Sequence, residues 1–305
     1  MIKPADIGLK EPTPIIDSKK LLLTAEVDTS IVVEKPPTIL SIKEQQATQT
    51  IYKRILSLGN FSVIKGKKKA RKTFFLVMVS GNLLKPKDIN SKLISDLPAN
   101  KQLVLYFDTE QGEYDSFITM TRIQRLAGHK NHFKGFNLRQ FEPLQRCEII
   151  ETALKEWGQN VGYVVIDGVR DLVTAINDEL EATRVVSLFL RWTKEYNCHI
   201  STIIHENKAT GDSRGHIGTE VENKSEIIIK VEKIKDDWTS SDVSCEHSRG
   251  IDFEGFRMTI QDGLPYVSDY IPEIKEPQKS YYDVHIGTVT DAQGEKIEIP
   301  DQTPF

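Results

Sequence analysis

Between about residues 45 and 267, short apolar runs alternate with longer segments whose apolar residues have helical spacing. The apolar runs predict strands at 61–64, 103–107, 163–166 and 199–204. The helical spacing predicts helices at 42–58, 73–84, 112–126, 143–157 and 179–196. Short apolar strands separated by helices of about ten or more residues are typical of right-handed βαβ units and a parallel sheet.

The pattern changes near both ends of the chain. After residue 225, apolar runs at 227–231, 243–247 and 256–260 follow one another without helices, which predicts antiparallel strands at one sheet edge. Residues 1–40 hold five of the thirteen prolines, and 280–305 are irregular. We therefore predict an N-terminal arm or linker (1–44), an α/β core domain (45–267) and a C-terminal extension (268–305). Arms that wrap a neighbouring subunit and plain linkers are both compatible with this pattern.

Composition narrows the class of protein. The 305 residues are 39% hydrophobic and 28% charged, enough for a sizeable core. The 40 basic and 44 acidic residues give a net charge of −4, which excludes a globally basic coat for nucleic acid and leaves only local patches. Three scattered cysteines, no long apolar run and no signal-like N-terminus predict a cytoplasmic protein without a membrane partner. The three tryptophans are predicted to pack in the core.

The strongest local charge is a run of six basic residues within 65–72. Its sequence GKKKARKT fits the phosphate-loop pattern G-x-x-x-x-G-K-[ST], except that Arg71 stands at the second glycine. Backbone amides of such a loop ring the β-phosphate, Lys72 neutralises the β- and γ-phosphates, and Thr73 ligates Mg²⁺. A basic strand-to-helix turn without nucleotide is the alternative. The predicted nucleotide-binding residues are Gly66, Lys67, Lys68, Lys69, Ala70, Arg71, Lys72, Thr73 and Phe74.

Two carboxylates follow predicted strands in a suitable order. Asp167 ends the run 163–166 and is the second predicted Mg²⁺ ligand, with a capping or turn role as the alternative. Glu110 ends the run beginning at 103, and a carboxylate there can orient and deprotonate an attacking water.

The D-x-E context of Asp108, Thr109 and Glu110 resembles that of RecA-like ATPases. The resemblance implies that Glu110 is the catalytic base and that Asp108 is structural. It implies that His205, or as second choice Asn207, senses the γ-phosphate. It further implies that the glycine-rich loop near 208–219 touches DNA, through Lys208, Arg214 and His216. By the same resemblance an arginine finger acts on the neighbouring subunit's nucleotide, and the candidates are Arg249 and, behind it, Arg257.

The resemblance spans about 50–267 and is closest to the RepA- and DnaB-type cores of hexameric helicases and to ATPases of bacterial mobile elements. It implies an α/β fold: a RecA-like P-loop NTPase core with a mainly parallel sheet, helices on both faces and antiparallel strands at the C-terminal end. It implies ATP and Mg²⁺ as cofactors, and a ring hexamer or filament acting on single-stranded or unwinding DNA in replication, mobilisation or transposition, with other mobile-element proteins as further partners. The first alternative is a nucleotide-binding regulatory or adaptor protein with little turnover that partners a transposase or relaxase; the second is a DNA-free phosphotransferase.

Overall fold

A computed structural model of the chain describes residues 18–27, 29–89, 91–206, 213, 215–268, 288–290 and 296–298. The chain divides into two units, Met1–Lys35 and Pro36–Phe305. The helices are α1 (Ser18–Ala25), α2 (Lys72–Leu84), α3 (Glu113–Ala127), α4 (Pro143–Trp157), α5 (Glu179–Tyr196) and α6 (Gly215–Lys224), with a short 3-10 helix at Val169–Leu172. The strands are β1 (Thr38–Gln46), β2 (Gln49–Ser57), β3 (Phe61–Gly66), β4 (Leu93–Ser95), β5 (Leu103–Asp108), β6 (Phe133–Asn137), β7 (Val161–Asp167), β8 (His199–His205), β9 (Ile227–Lys233), β10 (Ser240–Ser248), β11 (Phe256–Gln261), β12 (Leu264–Val267), β13 (Thr288–Thr290) and β14 (Lys296–Glu298).

The central sheet of the second unit has nine strands within the described residues, in the order β12-β11-β10-β9-β3-β8-β7-β5-β6. The strands from β9 to β6 in this order pair in parallel. The remaining three, β10 to β12, continue the sheet in antiparallel fashion beyond β9. Strand β8 thus separates the two strands that carry the predicted phosphate loop and Asp167.

Alternating side chains of the parallel strands pack into two apolar cores. In β5, Val104 and Tyr106 join the core formed with α2 and α3, whereas Leu105 and Phe107 join the core formed with α4 and α5. This alternation follows from the two-residue period of a strand, and runs of buried residues on both faces are what a parallel sheet covered by helices requires. The predicted α/β class, with a mainly parallel sheet, helices on both faces and antiparallel strands at the C-terminal end, is confirmed.

The predicted helix at 42–58 is wrong, because this segment forms a hairpin. Strands β1 and β2 pair antiparallel and, with β4, make a small separate sheet. The chain reverses at Ala47, whose φ is 52°. The spacing of Ile51 and Ile55 fits both structures, since two residues four positions apart lie on one face of a strand as well as of a helix. The domain boundary predicted at residue 45 falls inside β1.

Two further expectations need correction. The glycine-rich stretch predicted as a loop is helical from Gly215 onward, where α6 begins. Trp192 is buried and Trp157 packs against the core, but Trp238 is 70% exposed, so its predicted core position is wrong. Trp238 lies between β9 and β10, and its ring stacks instead on the Lys233 ammonium, 4.2 Å from the ring centroid. In the described part of the chain, none of the helices combines the length and apolarity needed to cross a bilayer.

Candidate nucleotide-binding site

The predicted site residues converge at the edge of the sheet where β3, β5, β7 and β8 end. Parallel strands bring their carboxyl ends to a common edge, which is where open α/β sheets bind ligands. The loop between β3 and α2 (residues 66–71, the P-loop below) lies at this edge. The last residues of β5, β7 and β8 lie beside it and form the floor of the site.

The P-loop requires glycine at its first position. Gly66 has φ +157°, and a Cβ added there would lie 2.3 Å from the carbonyl oxygen of Val231 in β9. Lys67, Lys68 and Lys69 are exposed, while Ala70 is buried. The loop is therefore packed tightly against β9 at its start and carries its basic side chains outward.

Arg71, at the second glycine position of the motif, has the backbone conformation that the motif demands. Its φ of 71° and ψ of 31° are left-handed, a region that glycine adopts readily and other residues rarely do. Its guanidinium donates to the carbonyl oxygens of Trp238 and Ser240 and to Ser241 Oγ, at 2.7 Å for Ser240 and 3.1 Å for Ser241. Burial lowers the pKa of Arg71, and the nearby Asp237 opposes this shift. Arg71, which replaces the glycine of the motif, is thus held by hydrogen bonds to β10.

Lys72, the first residue of α2, turns its ammonium group back over the P-loop. Its Nζ donates to the carbonyl oxygens of Gly66 (2.8 Å) and Lys67 (2.9 Å) and to Nδ1 of His205 (3.0 Å). Only 4% of Lys72 is exposed. Burial lowers the pKa of Lys72 to about 8, although Asp167, Glu206 and Glu110 act in the opposite direction. An anion bound in the loop would favour the charged form of Lys72.

Thr73 and Asp167, the two predicted Mg²⁺ ligands, are in direct contact. Thr73 Oγ1 and the hydroxyl of Tyr106 each donate to Asp167 Oδ2 at 2.9 Å. Burial, followed by the charge of Asp108, raises the pKa of Asp167 to about 6. Hydroxyl and carboxylate oxygens are the ligands that Mg²⁺ prefers, and a buried carboxylate with an elevated pKa gains most from a cation. These residues fit Mg²⁺.

Glu110 and Lys72 lie on opposite sides of the His205 ring. The Glu110 side chain is 65% exposed, and its Oε2 is 3.9 Å from His205 Nε2. The His205 ring lowers the pKa of Glu110, which burial opposes, so Glu110 is an ionised carboxylate at neutral pH. Asp108 instead accepts the backbone amides of Glu110 (3.2 Å) and Gln111 (3.0 Å), the structural role expected of it.

Sequence reasoning missed the residues that hold this floor together. Thr109 Oγ1 lies 2.8 Å from the carbonyl oxygen of Asp167 and 2.9 Å from Asp171 Oδ2, and it accepts the amide of Gly168 at 2.8 Å. Tyr106 is buried, and burial raises the pKa of its hydroxyl well above the usual range. The only sequence signal for Thr109 was its place between two acidic residues, and Tyr106 read as one more apolar strand residue.

Comparison with known proteins assigns the family. A family model described as "AAA domain" matches residues 32–211, more than half of the chain. The chain belongs to the AAA domain family. No curated protein matches it. Among solved structures, the RadB recombinase is similar at 14% sequence identity and a TM-score of 0.49, with 68% of this chain and 90% of the RadB chain covered.

The other predicted residues lie away from the P-loop or outside the described residues. Arg249 follows β10, whose last residue pairs with the first residue of β9, so it lies at the sheet edge opposite the P-loop. There its backbone amide donates to Glu226 and its guanidinium to the carbonyl of Lys224, both at 2.9 Å. Arg257 is exposed beside Asp242, with Nε 3.1 Å from Oδ1. Phe74 is partly buried against the core.

The predicted DNA-binding residues are only partly visible. Lys208, Arg214 and the second-choice sensor Asn207 lie outside the described residues. His216 is exposed in the first turn of α6. Among the described residues, no three His, Cys, Asp or Glu side chains are grouped to hold a metal ion.

Proposed function

We propose that this AAA domain binds ATP with Mg²⁺ at the P-loop, hydrolyses it, and acts on DNA as an oligomer. The observation that carries the proposal is the convergence of Lys72, the Thr73–Asp167 pair and Glu110 at one sheet edge. Each of these groups has a distinct task in phosphoryl transfer, and membership in the AAA domain family supports the same chemistry.

Phosphate binding rests on Lys72. Among the described residues its hydrogen bonds go to two carbonyls and one imidazole, and none goes to a carboxylate. A buried ammonium without a carboxylate partner is costly until an anion approaches it. The adjacent N-terminus of α2 adds backbone amides and a favourable dipole for the same phosphate.

The metal would be held by the Thr73 hydroxyl and the Asp167 carboxylate. When bound, Mg²⁺ supplies charge neutralisation on the phosphate oxygens. The Tyr106 hydroxyl orients the Asp167 carboxylate from behind, and Thr109 fixes the backbone that carries it. Such outer contacts set the direction of a ligand oxygen.

Glu110 supplies the base. A water oxygen attacks the γ-phosphorus, its proton passes to the Glu110 carboxylate, and the bond to the β–γ bridging oxygen breaks to release ADP and phosphate. The exposed position of Glu110 suits contact with water, and its lowered pKa keeps it ready to accept a proton. We propose that His205, which lies between Glu110 and Lys72, responds to the γ-phosphate.

Action on DNA and self-assembly rest on the sequence resemblance. We propose Lys208, Arg214 and His216 as DNA contacts and Arg249 as a finger acting on a neighbouring subunit, in a ring hexamer or filament. The biological setting that we propose is helicase-like work in replication, mobilisation or transposition of a plasmid or mobile element, in the cytoplasm. With a net charge of −4, DNA binding would be confined to such local groups.

A nucleotide-binding adaptor with little turnover, which partners a transposase or relaxase, is the second candidate. Arg71 favours it, since a phosphate loop held by side-chain bonds to another hairpin has less freedom to close around a transition state than a glycine loop has.

One set of measurements separates these candidates: ATP binding and ATP hydrolysis, each with and without single-stranded DNA. We expect Lys72→Ala to abolish binding, and Glu110→Gln to retain binding while hydrolysis falls by about two orders of magnitude or more. Arg191→Ala, on the exposed side of α5, is the matched surface control. Turnover that both site variants leave unchanged would refute the ATPase assignment, and wild-type binding without hydrolysis would support the adaptor.

A further inference from the structure

The P-loop is attached to the β9–β10 hairpin at three points. Gly66 packs against the Val231 carbonyl, Ser241 Oγ donates to the carbonyl of Ala70 at 3.2 Å, and Arg71 donates to the segment 238–241. These partners are about 165–170 positions away in the sequence and lie outside the residues 32–211 that the family model matches. The attachment is therefore a feature of this chain's C-terminal strands and not of the matched family segment.

The acceptors for Arg71 are presented by a well-formed turn. Residues 234–239, the β9–β10 turn, connect Lys233 to Ser240. Within it Asp237 Oδ1 accepts the amide of Thr239 (2.8 Å), the Thr239 hydroxyl (2.8 Å) and the amide of Ser240 (2.9 Å). These hydrogen bonds lower the pKa of Asp237, which stays ionised and holds the turn in place. Arg71 therefore meets a fixed set of oxygens.

A non-glycine residue in the left-handed region persists only where surrounding contacts compensate for the strain. The planar guanidinium fork of arginine suits this purpose, because it reaches several acceptors at once while remaining charged. Arg71 bonds two carbonyls and one hydroxyl of the same segment. The shape of the P-loop consequently depends on contacts with the β9–β10 turn. With glycine at position 71 it would depend only on the backbone freedom of that residue.

We propose that Arg71 is a positioning residue that couples the P-loop to the β9–β10 turn, so that nucleotide binding changes the environment of this turn. The inference rests on the proposed ATP site. Because coupling between two sites is reciprocal, anything that binds and shifts the turn changes nucleotide affinity by the same factor. Arg71 acts through the loop backbone, while Lys72 contacts the phosphate.

The fluorescence of Trp238 reports on the β9–β10 turn, in which this residue lies. Trp238 is 70% exposed and stacks on Lys233, and its carbonyl accepts from Arg71. Indole emission is sensitive to local polarity and to a neighbouring cation, so it responds to small shifts of the turn. Trp157 and Trp192 contribute a background, and Trp238→Phe identifies the part of the signal that comes from the turn.

The experiment titrates the full chain with ATP and Mg²⁺ while both nucleotide binding and tryptophan emission are followed. The variants are Arg71→Gly, Arg71→Ala and Ser241→Ala, with Arg191→Ala as the arginine control. We expect Arg71→Gly to retain ATP binding more fully than Arg71→Ala, since glycine adopts the left-handed conformation at little cost. Arg71→Ala should bind roughly tenfold more weakly, because it keeps the strain and loses the bonds.

The emission change on ATP binding should be present in the wild type and in Arg191→Ala and absent in Trp238→Phe. It should be lost in Arg71→Gly and reduced in Ser241→Ala, although both variants still bind ATP. A purely structural arginine would not produce this separation of binding from signal.

Three outcomes would overturn the inference. An emission change that persists in Arg71→Gly, or is absent from an ATP-binding wild type, would show that the turn is not coupled. Loss of ATP binding in Arg71→Gly as complete as in Lys72→Ala would show that Arg71 contacts the phosphate itself. A wild type that fails to bind ATP at all would refute the proposed function, which the binding titration reveals separately from the emission.

Discussion

The Lys72 ammonium donates to His205 Nδ1 across 3.0 Å, which places the ring proton of a neutral His205 on Nε2. That nitrogen faces Glu110, whose Oε2 is 3.9 Å away. The ammonium that we propose to bind phosphate and the carboxylate that we propose as base thus lie on either side of a single imidazole. A γ-phosphate that draws the Lys72 ammonium toward itself would break its hydrogen bond to His205 Nδ1. The imidazole beside Glu110 would then be free to reorient.

This arrangement predicts that His205 affects turnover more than affinity. We expect His205→Ala to lower kcat by roughly 10²-fold, in the range of a single removed transition-state donor, with ATP affinity changed by less than about threefold. Single-turnover hydrolysis together with equilibrium binding of a non-hydrolysable ATP analogue separates the two quantities. Weaker binding with unchanged kcat would contradict the role as a sensor.

The pH dependence of ATP binding should report Lys72. Its folded-state pKa of about 8 lies below the ordinary 10.5, so the free site loses its cation as pH rises through about 8. A bound phosphate favours the charged form, so ATP binding should take up a proton above pH 8 and weaken by up to about tenfold per pH unit there. Calorimetric titrations in buffers of different ionisation enthalpy measure this uptake. Affinity that is constant from pH 7 to 9.5 would rule it out.

Asp167 should limit the stability of the nucleotide-free protein. Its folded pKa of about 6 exceeds the ordinary 3.8, so the folded state holds the extra proton between these values and the ionised carboxylate destabilises it above about pH 6. We expect Asp167→Asn to raise the free energy of unfolding at pH 7.5 by about 1–3 kcal/mol, while Mg²⁺-dependent hydrolysis is lost.

Denaturant unfolding at pH 7.5 and pH 5 tests this expectation. The gain from Asp167→Asn should shrink at pH 5, where the wild-type carboxyl is largely protonated. Asp171→Asn, in the neighbouring 3-10 helix, is the comparison variant. A variant no more stable than the wild type at pH 7.5 would refute the prediction.

Arg249 can act only on another subunit's nucleotide, because it lies at the sheet edge opposite its own P-loop. Arg249→Ala and Lys72→Ala should each be inactive when pure. An equal mixture should regain roughly a quarter of wild-type activity, the fraction of interfaces that pair an intact Lys72 with an intact Arg249 in a freely mixed assembly. If the mixture stays as inactive as its components while wild-type and variant subunits co-assemble, Arg249 is not the finger.

The Thr109 hydroxyl ties the ends of β5 and β7 together, so its loss should loosen the floor of the site. We expect Thr109→Val, which keeps the shape and removes the hydroxyl, to cost about 1–3 kcal/mol of unfolding free energy, since the Gly168 amide and Asp171 lose a partner. Thermal and denaturant unfolding measure the cost, and Thr152→Val on the exposed side of α4 is the control. Equal losses in both variants would count against this role.

The sequence predicted the parts of the molecule that local periodicity encodes. The helices Pro143–Trp157 and Glu179–Tyr196 have the predicted bounds, because one face of each is apolar at helical spacing. The convergence of Lys72, Thr73, Asp167 and Glu110 followed from strand order, since parallel strands place their ends together.

The features that could not be predicted from the sequence depend on contacts between segments that are distant in the chain. The partners of Arg71 lie about 170 residues away, and Tyr106 differs from its apolar neighbours only through a hydroxyl whose acceptor is on another strand. The exposed position of Trp238 does not follow from the sequence, because hydrophobicity alone does not distinguish a core tryptophan from one at a turn that stacks on a lysine.

The close approach of β9 and β10 to the P-loop has a consequence for recognising such sites. A motif that lacks its second glycine can retain the required backbone shape when a hairpin encoded far downstream supplies the restraint. A pattern search confined to eight consecutive residues discards such a chain. A better search would accept arginine at that position. It would then ask whether an antiparallel hairpin follows the last parallel strand, and it would retain such a chain.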